Sequence, residues 1–416
     1  MCELIINGGN RLCGEVKIQG SKNASLPILA ATLLTDERCV IHNCPNISDT
    51  NTAFEILNDL GADVISLRDY VIVRAKKLCN DKIPQDLMGR MRSSVMFLGA
   101  ILARCGTAVI CNPGGCNLGE RPIDIHLRSL RRLGVRVCET NGCIFCSLGE
   151  KTAGEVTLLY PSVGATENIM LLCAGLDTSV RINNAAREPE IVDLQNFLNL
   201  MGADIRGAGT ETITIYPSQG LHGCEYRVMP DRIVAATYAC ATAICGGEVS
   251  LVGAESGHMR IVNAALCAAG CEIKNNGSGI LVCADSRPKA IEMIKTLPYP
   301  GFPTDVQPLL GAVLMTADGD SELCEAIFKK RFEYYSQLEL MGADAEIKGN
   351  TLVIHGRERL FGAEVSAADL RGGAALIIAA LAASGTTVVN NVHYIDRGYE
   401  SIERDLKLIG ADIMRI

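Results

Sequence analysis

Tryptophan is absent from this 416-residue chain and aromatic residues make up only 4% of it, so aliphatic and small side chains must fill its core. Histidine is scarce as well: the six residues are scattered, and no His-Glu-x-x-His pair occurs, which removes the usual zinc-hydrolase ligand set. No G-x-x-x-x-G-K-[ST] loop is present, and no G-x-G-x-x-G follows a strand. A P-loop nucleotidase and a Rossmann dehydrogenase therefore lose their phosphate cradles. Basic charge is in deficit, 39 Lys and Arg against 47 Asp and Glu for a net charge of −8, so no nucleic-acid partner is expected. Long apolar runs are missing too. The longest uncharged stretch, Gly372 to Ile395, is broken by Ser384-Gly385-Thr386-Thr387 and by Asn390-Asn391, so no membrane span is expected. The first residues show no basic segment followed by an apolar one, so no secretory leader is read and a cytoplasmic location is expected.

Cysteine is abundant, with 19 residues in a chain that is 48% hydrophobic and 21% charged. That balance is globular, and the length implies two or three domains. Many cysteines sit where alanine would serve, as at Cys240, Cys245 and Cys173, which suits reduced thiols packed as small hydrophobes. One C-x-x-C, Cys143 to Cys146, has no second pair at zinc-like spacing and reads as two strand or core thiols. No metal and no cofactor is expected.

A short phrase recurs six times: Leu60-Gly61-Ala, Leu133-Gly134-Val, Met201-Gly202-Ala, Ala269-Gly270-Cys, Met341-Gly342-Ala and Ile409-Gly410-Ala. An amphipathic helical pattern precedes each glycine and a short strand follows, so the glycine reads as a helix terminator at positive φ. Each repeat also carries an earlier helix that is apolar on nearly every side: 26–34, 95–103, 169–176, 233–244, 306–317 and 374–383. Such helices must be buried all round. A strand follows each one, at 39–42, 107–111, 179–183, 248–252, 321–324 and 386–389. Six buried helices cannot share one core of sensible thickness. The natural partition is three repeats per domain, with helices inside and sheets outside; a stacked solenoid is the weaker alternative.

The starts of the buried helices are unusually polar. They read Ser21-Lys22-Asn23, Arg90-Met91-Arg92, Ser162-Val163-Gly164, Asp231-Arg232, Thr304-Asp305 and Asp369-Leu370-Arg371. Ser21, Ser162 and Thr304 suit helix caps. Lys22, Arg92 and Arg371 do not, because a cation beside the positive end of a helix dipole is unfavourable unless an anion lies between them. The loops before the amphipathic helices add Cys116 between glycines and near Arg121, the turn Asn184 to Glu190, Lys329-Lys330-Arg331, and Asp396-Arg397-Gly398-Tyr399. A thiol in a loop beside arginine can have a lowered pKa and be reactive, whereas 184–190 reads equally well as a Pro-containing structural turn.

Together, Ser21-Lys22-Asn23, Pro113-Gly114-Gly115-Cys116 with Gly119-x-Arg121-Pro122-Ile123-Asp124, Ser162 to Thr166, Ala186 to Glu190, Phe302 to Asp305 and Asp396 to Tyr399 resemble the UDP-N-acetylglucosamine 1-carboxyvinyltransferases. The resemblance spans essentially the whole chain. It implies a two-domain inside-out α/β barrel built from six repeats, one domain formed by residues 21–229 and the other by 1–20 with 230–416. It implies transfer of the enolpyruvyl group of phosphoenolpyruvate to UDP-N-acetylglucosamine, with Cys116, Asp305, Lys22 and Arg397 catalytic. By the same resemblance Asn23, Arg92, Arg121, Pro122, Ile123, Asp124, Ile125, Ser162, Val163, Gly164, Ile327, Arg331, Asp369 and Arg371 complete the substrate-binding set. Glu120 departs from the family pattern, which has a small residue or proline there. Two alternatives remain open at this point: a shikimate 3-phosphate enolpyruvyl transferase, and a non-catalytic UDP-sugar-binding paralogue.

Overall fold

The computed structural model describes residues 3–111, 123–149, 154–177 and 179–416, without the side chain of Arg92. Cys116, Glu120, Arg121 and Pro122 lie outside the described residues. The described residues divide into two compact units: those up to Gln19 with Pro230–Ile416 form one, and those between Gly20 and Met229 the other.

In the unit Gly20 to Met229, three helices form the centre: Lys22–Ala31, Phe97–Cys105 and Val163–Ala174. Each packs on the other two. The second unit repeats the plan with Arg232–Cys245, Gln307–Leu314 and Leu370–Ala382. Burial follows from composition. Every residue from Ile233 to Ile244 is buried, as are those from Arg371 to Leu381, because these segments offer no polar face. The outer helices, such as Ser48–Leu60 and Pro189–Leu200, bury one side only. Each repeat turns out of its outer helix through the recurring glycine, and all six have positive φ, from 83° at Gly134 to 106° at Gly202. A Cβ there would be strained, which is why glycine marks the period.

The sheets share one pattern. The strand after an inner helix pairs antiparallel with a second strand, which pairs antiparallel with a third; a fourth lies parallel on the other side of the first. Thus Glu225–Arg227, Arg38–His42, Tyr70–Arg74 and Asp63–Ser66 form one sheet. In the second repeat the parallel neighbour shrinks to a single bridge, Lys82 to Val109. The N-terminal strands complete the other unit. Leu4–Asn7 sits between Thr386–Asn390 and Asp412–Arg415, and Leu12–Lys17 lies parallel to Gly247–Val252. The middle strand of the sixth repeat's sheet is thus supplied by Leu4–Asn7. Each unit is a ring of three sheets around three helices, the inside-out α/β barrel expected from the sequence.

The inner helices of repeats one, three and six begin at Lys22, Val163 and Leu370, within the polar starts read from the sequence and several residues ahead of the apolar runs. Two expectations need correction. Thr304 does not cap a helix: Gln307–Leu314 has Val306 as its N-cap and no side-chain cap bond. Cys143 is not a free thiol, since it forms a disulfide with Cys111, the residue directly opposite it in antiparallel register. Cys146, an odd number of residues along the same strand, faces the other way and is buried. Successive faces of a strand cannot close one C-x-x-C chelate. The remaining buried thiols behave as small hydrophobes, with burial pushing Cys173 up to about 12. Among the described residues no helix is long and apolar enough to cross a membrane.

Candidate functional site

In the unit Gly20 to Met229, Ser21 caps the first inner helix through a hydrogen bond from the Ala24 N–H. This places Lys22 and Asn23 in the first turn. Lys22 is buried, and its Nζ lies 2.6 Å from Asp49 Oδ2. Asp49 is buried on the outer helix Ser48–Leu60. The cation at a helix start thus has a protein carboxylate beside it, which offsets the unfavourable dipole without any bound anion. Ser162 caps the third inner helix in the same way, accepting from the Ala165 N–H, and brings Val163 and Gly164 into its first turn. A Cβ on Gly164 would lie 3.0 Å from His126 Cε1. The ring can approach because glycine is there, and its Nδ1 lies 3.0 Å from Asn168 Nδ2. Asn168 also accepts from the Gly99 N–H at 2.8 Å and donates to the Val95 carbonyl at 3.2 Å. One amide therefore ties two inner helices to the outer helix Asp124–Arg132. Asp124 opens that helix, where its negative charge suits the dipole, and it pairs loosely with Arg128 at 3.6 Å. Ile123 precedes it, and Ile125 lines a cavity of about 410 Å³ with Arg128, Arg132, Leu158 and Leu159.

In the other unit the predicted residues converge on Asp305. Arg331 is 1% exposed. It donates from Nη2 to Asp305 Oδ1 at 2.8 Å and from both Nε and Nη2 to the Thr304 carbonyl. Its Nη1 lies 3.7 Å from Asp369 Oδ1. Arg371 Nη2 reaches the other oxygen, Asp305 Oδ2, at 3.4 Å. Burial by itself pulls the Arg371 guanidinium down, but the carboxylate charges of Asp305 and Asp231 help carry it above its ordinary value. The Asp305 side chain keeps 32% of its surface exposed. A carboxylate gripped at the back by two guanidinium groups and open at the front can take a proton from, or hydrogen-bond to, an incoming hydroxyl. Asp369 caps the sixth inner helix through the N–H groups of Arg371 and Gly372. Arg397 is half-buried at the end of the short helix Val392–Arg397.

Glu325 is a residue the sequence reading missed. It is buried, and its Oε1 accepts from the N–H groups of Ile327 and Phe328 and from the Thr296 hydroxyl, while Oε2 accepts from Thr304. It therefore staples the loop bearing Ile327 and Arg331 to the turn bearing Asp305. Asp49, His126 and Asn168 were missed for the same reason. Each is an unremarkable polar residue whose partner is distant in the chain, and no local pattern marks it. A larger cavity of about 810 Å³ opens beside Asp369, but its walls are Lys329, Tyr335, Asn391, Tyr394 and their neighbours. Asp305, Arg331 and Arg371 do not line it, so volume does not locate this chemistry. Among the described residues no cluster could hold a metal ion.

The comparisons with known proteins agree on one family. Residues 6–406 match the family model described as EPSP synthase (3-phosphoshikimate 1-carboxyvinyltransferase). The chain is 51% identical to UDP-N-acetylglucosamine 1-carboxyvinyltransferase 2 of Caldanaerobacter subterraneus subsp. tengcongensis, covering 99% of both chains. It is 42% identical to UDP-N-acetylglucosamine 1-carboxyvinyltransferase 1 of Staphylococcus aureus, over the whole of both. Among solved structures, the enolpyruvyl transferase NikO from Streptomyces tendae superposes with a TM-score of 0.88 at 26% identity, covering 100% of this chain and 99% of that one. EPSP synthase of Acinetobacter baumannii, at 18% identity and a TM-score of 0.76 over the whole of both chains, shares the fold. The buried-helix repeats, the arginine-gripped aspartate and full-length identity of this order lead to one conclusion: the chain belongs to the enolpyruvyl transferases of the EPSP synthase family, among the UDP-N-acetylglucosamine 1-carboxyvinyltransferases.

Proposed function

We propose that this protein transfers the enolpyruvyl group of phosphoenolpyruvate to the 3′-hydroxyl of UDP-N-acetylglucosamine and releases phosphate, the first committed step of peptidoglycan precursor synthesis, in the cytoplasm. The observation that carries the reading is identity of 51% over 99% of both chains to a protein named for that reaction. The reaction is addition followed by elimination. C3 of the enol phosphate gains a proton, the sugar oxygen adds to C2 as its own proton leaves, and the tetrahedral intermediate then returns a C3 proton to a basic group and releases phosphate, leaving an enol ether. Cys116 supplies the first proton and Asp305 accepts that of the sugar hydroxyl. Lys22, Arg121 and Arg397 hold the phosphate and carboxylate of phosphoenolpyruvate, joined by Arg331 and Arg371, and Asn23 holds the intermediate. Arg92, Ile123, Asp124, Ser162, Val163, Gly164 and Ile327 form the UDP-sugar site, and Pro122, Ile125 and Asp369 complete the substrate-binding set. Residues 21–229 and residues 1–20 with 230–416 serve as the two domains. No step in this scheme calls for a metal or cofactor.

A direct assay decides the matter: phosphate release from phosphoenolpyruvate with and without UDP-N-acetylglucosamine. Release that depends on the UDP-sugar is expected. Release that depends instead on shikimate 3-phosphate would reassign the chain within its family, and no release with either acceptor would make it a binding protein.

A further inference from the structure

Behind Arg371 lies a run of buried hydroxyl groups that the proposed chemistry does not use. Tyr399 and Thr237 are both buried, and their hydroxyl oxygens lie 2.6 Å apart. The proton order between them follows from counting. A threonine hydroxyl has one proton, and that of Thr237 is donated to the Ile233 carbonyl at 2.8 Å. Tyr399 must therefore donate its own proton to Thr237. Its oxygen has only lone pairs left for the third group at hand, the Arg371 guanidinium, with which it interacts. Burial pushes the Tyr399 phenol up, so the proton stays on oxygen. The ring is held from outside the site as well. Gln19 donates to the Gly398 carbonyl at 3.1 Å and accepts from the Glu400 N–H at 3.0 Å, bracketing Tyr399. Arg371 is thus fixed at its backbone by Asp369 and at its head by Tyr399 and Asp305. One nitrogen remains: Nη1, with two N–H groups, is buried and has no hydrogen-bond partner among the described residues. A guanidinium N–H left unmade in the interior is costly, and an anionic ligand would satisfy it.

We propose that Tyr399 and Thr237 are positioning residues, a hydroxyl pair with a fixed proton order that holds Arg371 so that its unpartnered Nη1 serves the anionic enolpyruvyl donor. The inference rests on the reading that phosphoenolpyruvate is that donor. Neither hydroxyl touches substrate; both act through Arg371.

The test is steady-state kinetics with each substrate varied in turn. UDP-sugar-dependent phosphate release by the parent protein establishes the underlying reading before any variant is judged. Tyr399→Phe then raises the KM for phosphoenolpyruvate by about 10-fold, leaving that for UDP-N-acetylglucosamine within about 2-fold. Thr237→Val reproduces the effect and Thr237→Ser does not, because serine keeps the acceptor oxygen. In an Arg371→Gln background the same Tyr399→Phe change adds nothing, since residues acting through one group are not additive. Equal rises in both KM values, an undiminished effect in the Arg371→Gln background, or no effect of either hydroxyl deletion would overturn the proposal. Should Tyr399→Phe fail to fold, the contrast of valine with serine at Thr237 decides alone.

Discussion

Asp305 shows how much one carboxylate depends on what holds it. Arg331 occupies one oxygen and Arg371 the other, so the group is oriented before any ligand arrives. If it acts as the base for the sugar hydroxyl, Asp305→Asn lowers kcat by about 10²–10⁴-fold while UDP-N-acetylglucosamine still binds; turnover within a few-fold of the parent would refute that role. Arg331→Lys belongs to the same scale. Lysine cannot reproduce a fork that reaches Thr304 and Asp305 together, so catalytic efficiency falls although the charge is kept. Glu167 makes the opposite case. It is 1% exposed, and both of its carboxylate oxygens lack a hydrogen-bond partner among the described residues. Burial first, then the charges of Glu190 and Glu188, push its carboxyl well above the ordinary value. The folded state therefore keeps a proton that the unfolded chain gives up above about pH 4. The sign follows: this residue costs nothing below the unfolded value and lowers stability as pH rises from there towards the raised folded value. Glu167→Gln should be more stable than the parent at pH 8 and equal to it near pH 4. Urea denaturation at the two pH values checks this, and an unchanged difference between parent and variant would contradict it.

At the scale of elements, close approach of the inner helices depends on particular small residues. Gly99 lies against the helix Val163–Ala174, and a Cβ there would stand 2.3 Å from the Asn168 carbonyl oxygen. Gly99→Ala must push the two helices apart and strain the Asn168 bonds, costing about 1–3 kcal/mol of stability. Thermal melting of the variant measures that cost, and a melting temperature equal to the parent's would show that the helices part freely. The staple made by Glu325 is more local. Glu325→Ala leaves several donors without their acceptor, and stability falls by about 1–3 kcal/mol for each donor that stays buried and dry. The helix caps formed by Ser21, Ser162, Asp231 and Asp369 were legible in large part, because capping depends on residues two or three positions apart. Thr304 was misread because an apolar run following a threonine looks the same whether the hydroxyl caps a helix or, as here, bonds Glu325 across 21 residues.

For the whole molecule, the N-terminus is structural rather than ornamental. Leu4 and Ile6 are fully buried, and their strand lies between two others of the same sheet. Deleting residues 1–8 removes that burial, about 1.5–3 kcal/mol for each large side chain, and leaves the strand Asp412–Arg415 without a partner. The unit containing 230–416 should then lose its cooperative unfolding transition, as followed by circular dichroism against denaturant. A truncated protein that melts like the parent would mean that the strand is dispensable.

What the sequence determined by itself was everything written in local period. The six repeats, the buried and amphipathic helices, the terminating glycines and the strands after the inner helices all arise from interactions between residues a few positions apart. Hydrophobic pattern and backbone preference record these directly. Only the tertiary structure decided the pairings: Lys22 with Asp49, Arg331 and Arg371 with Asp305, Tyr399 with Thr237, Cys111 with Cys143, and the first strand with the last. Each joins residues 26 or more positions apart. Their energies arise from desolvation and geometry at contacts that exist only once the helices are packed and the chain ends have met.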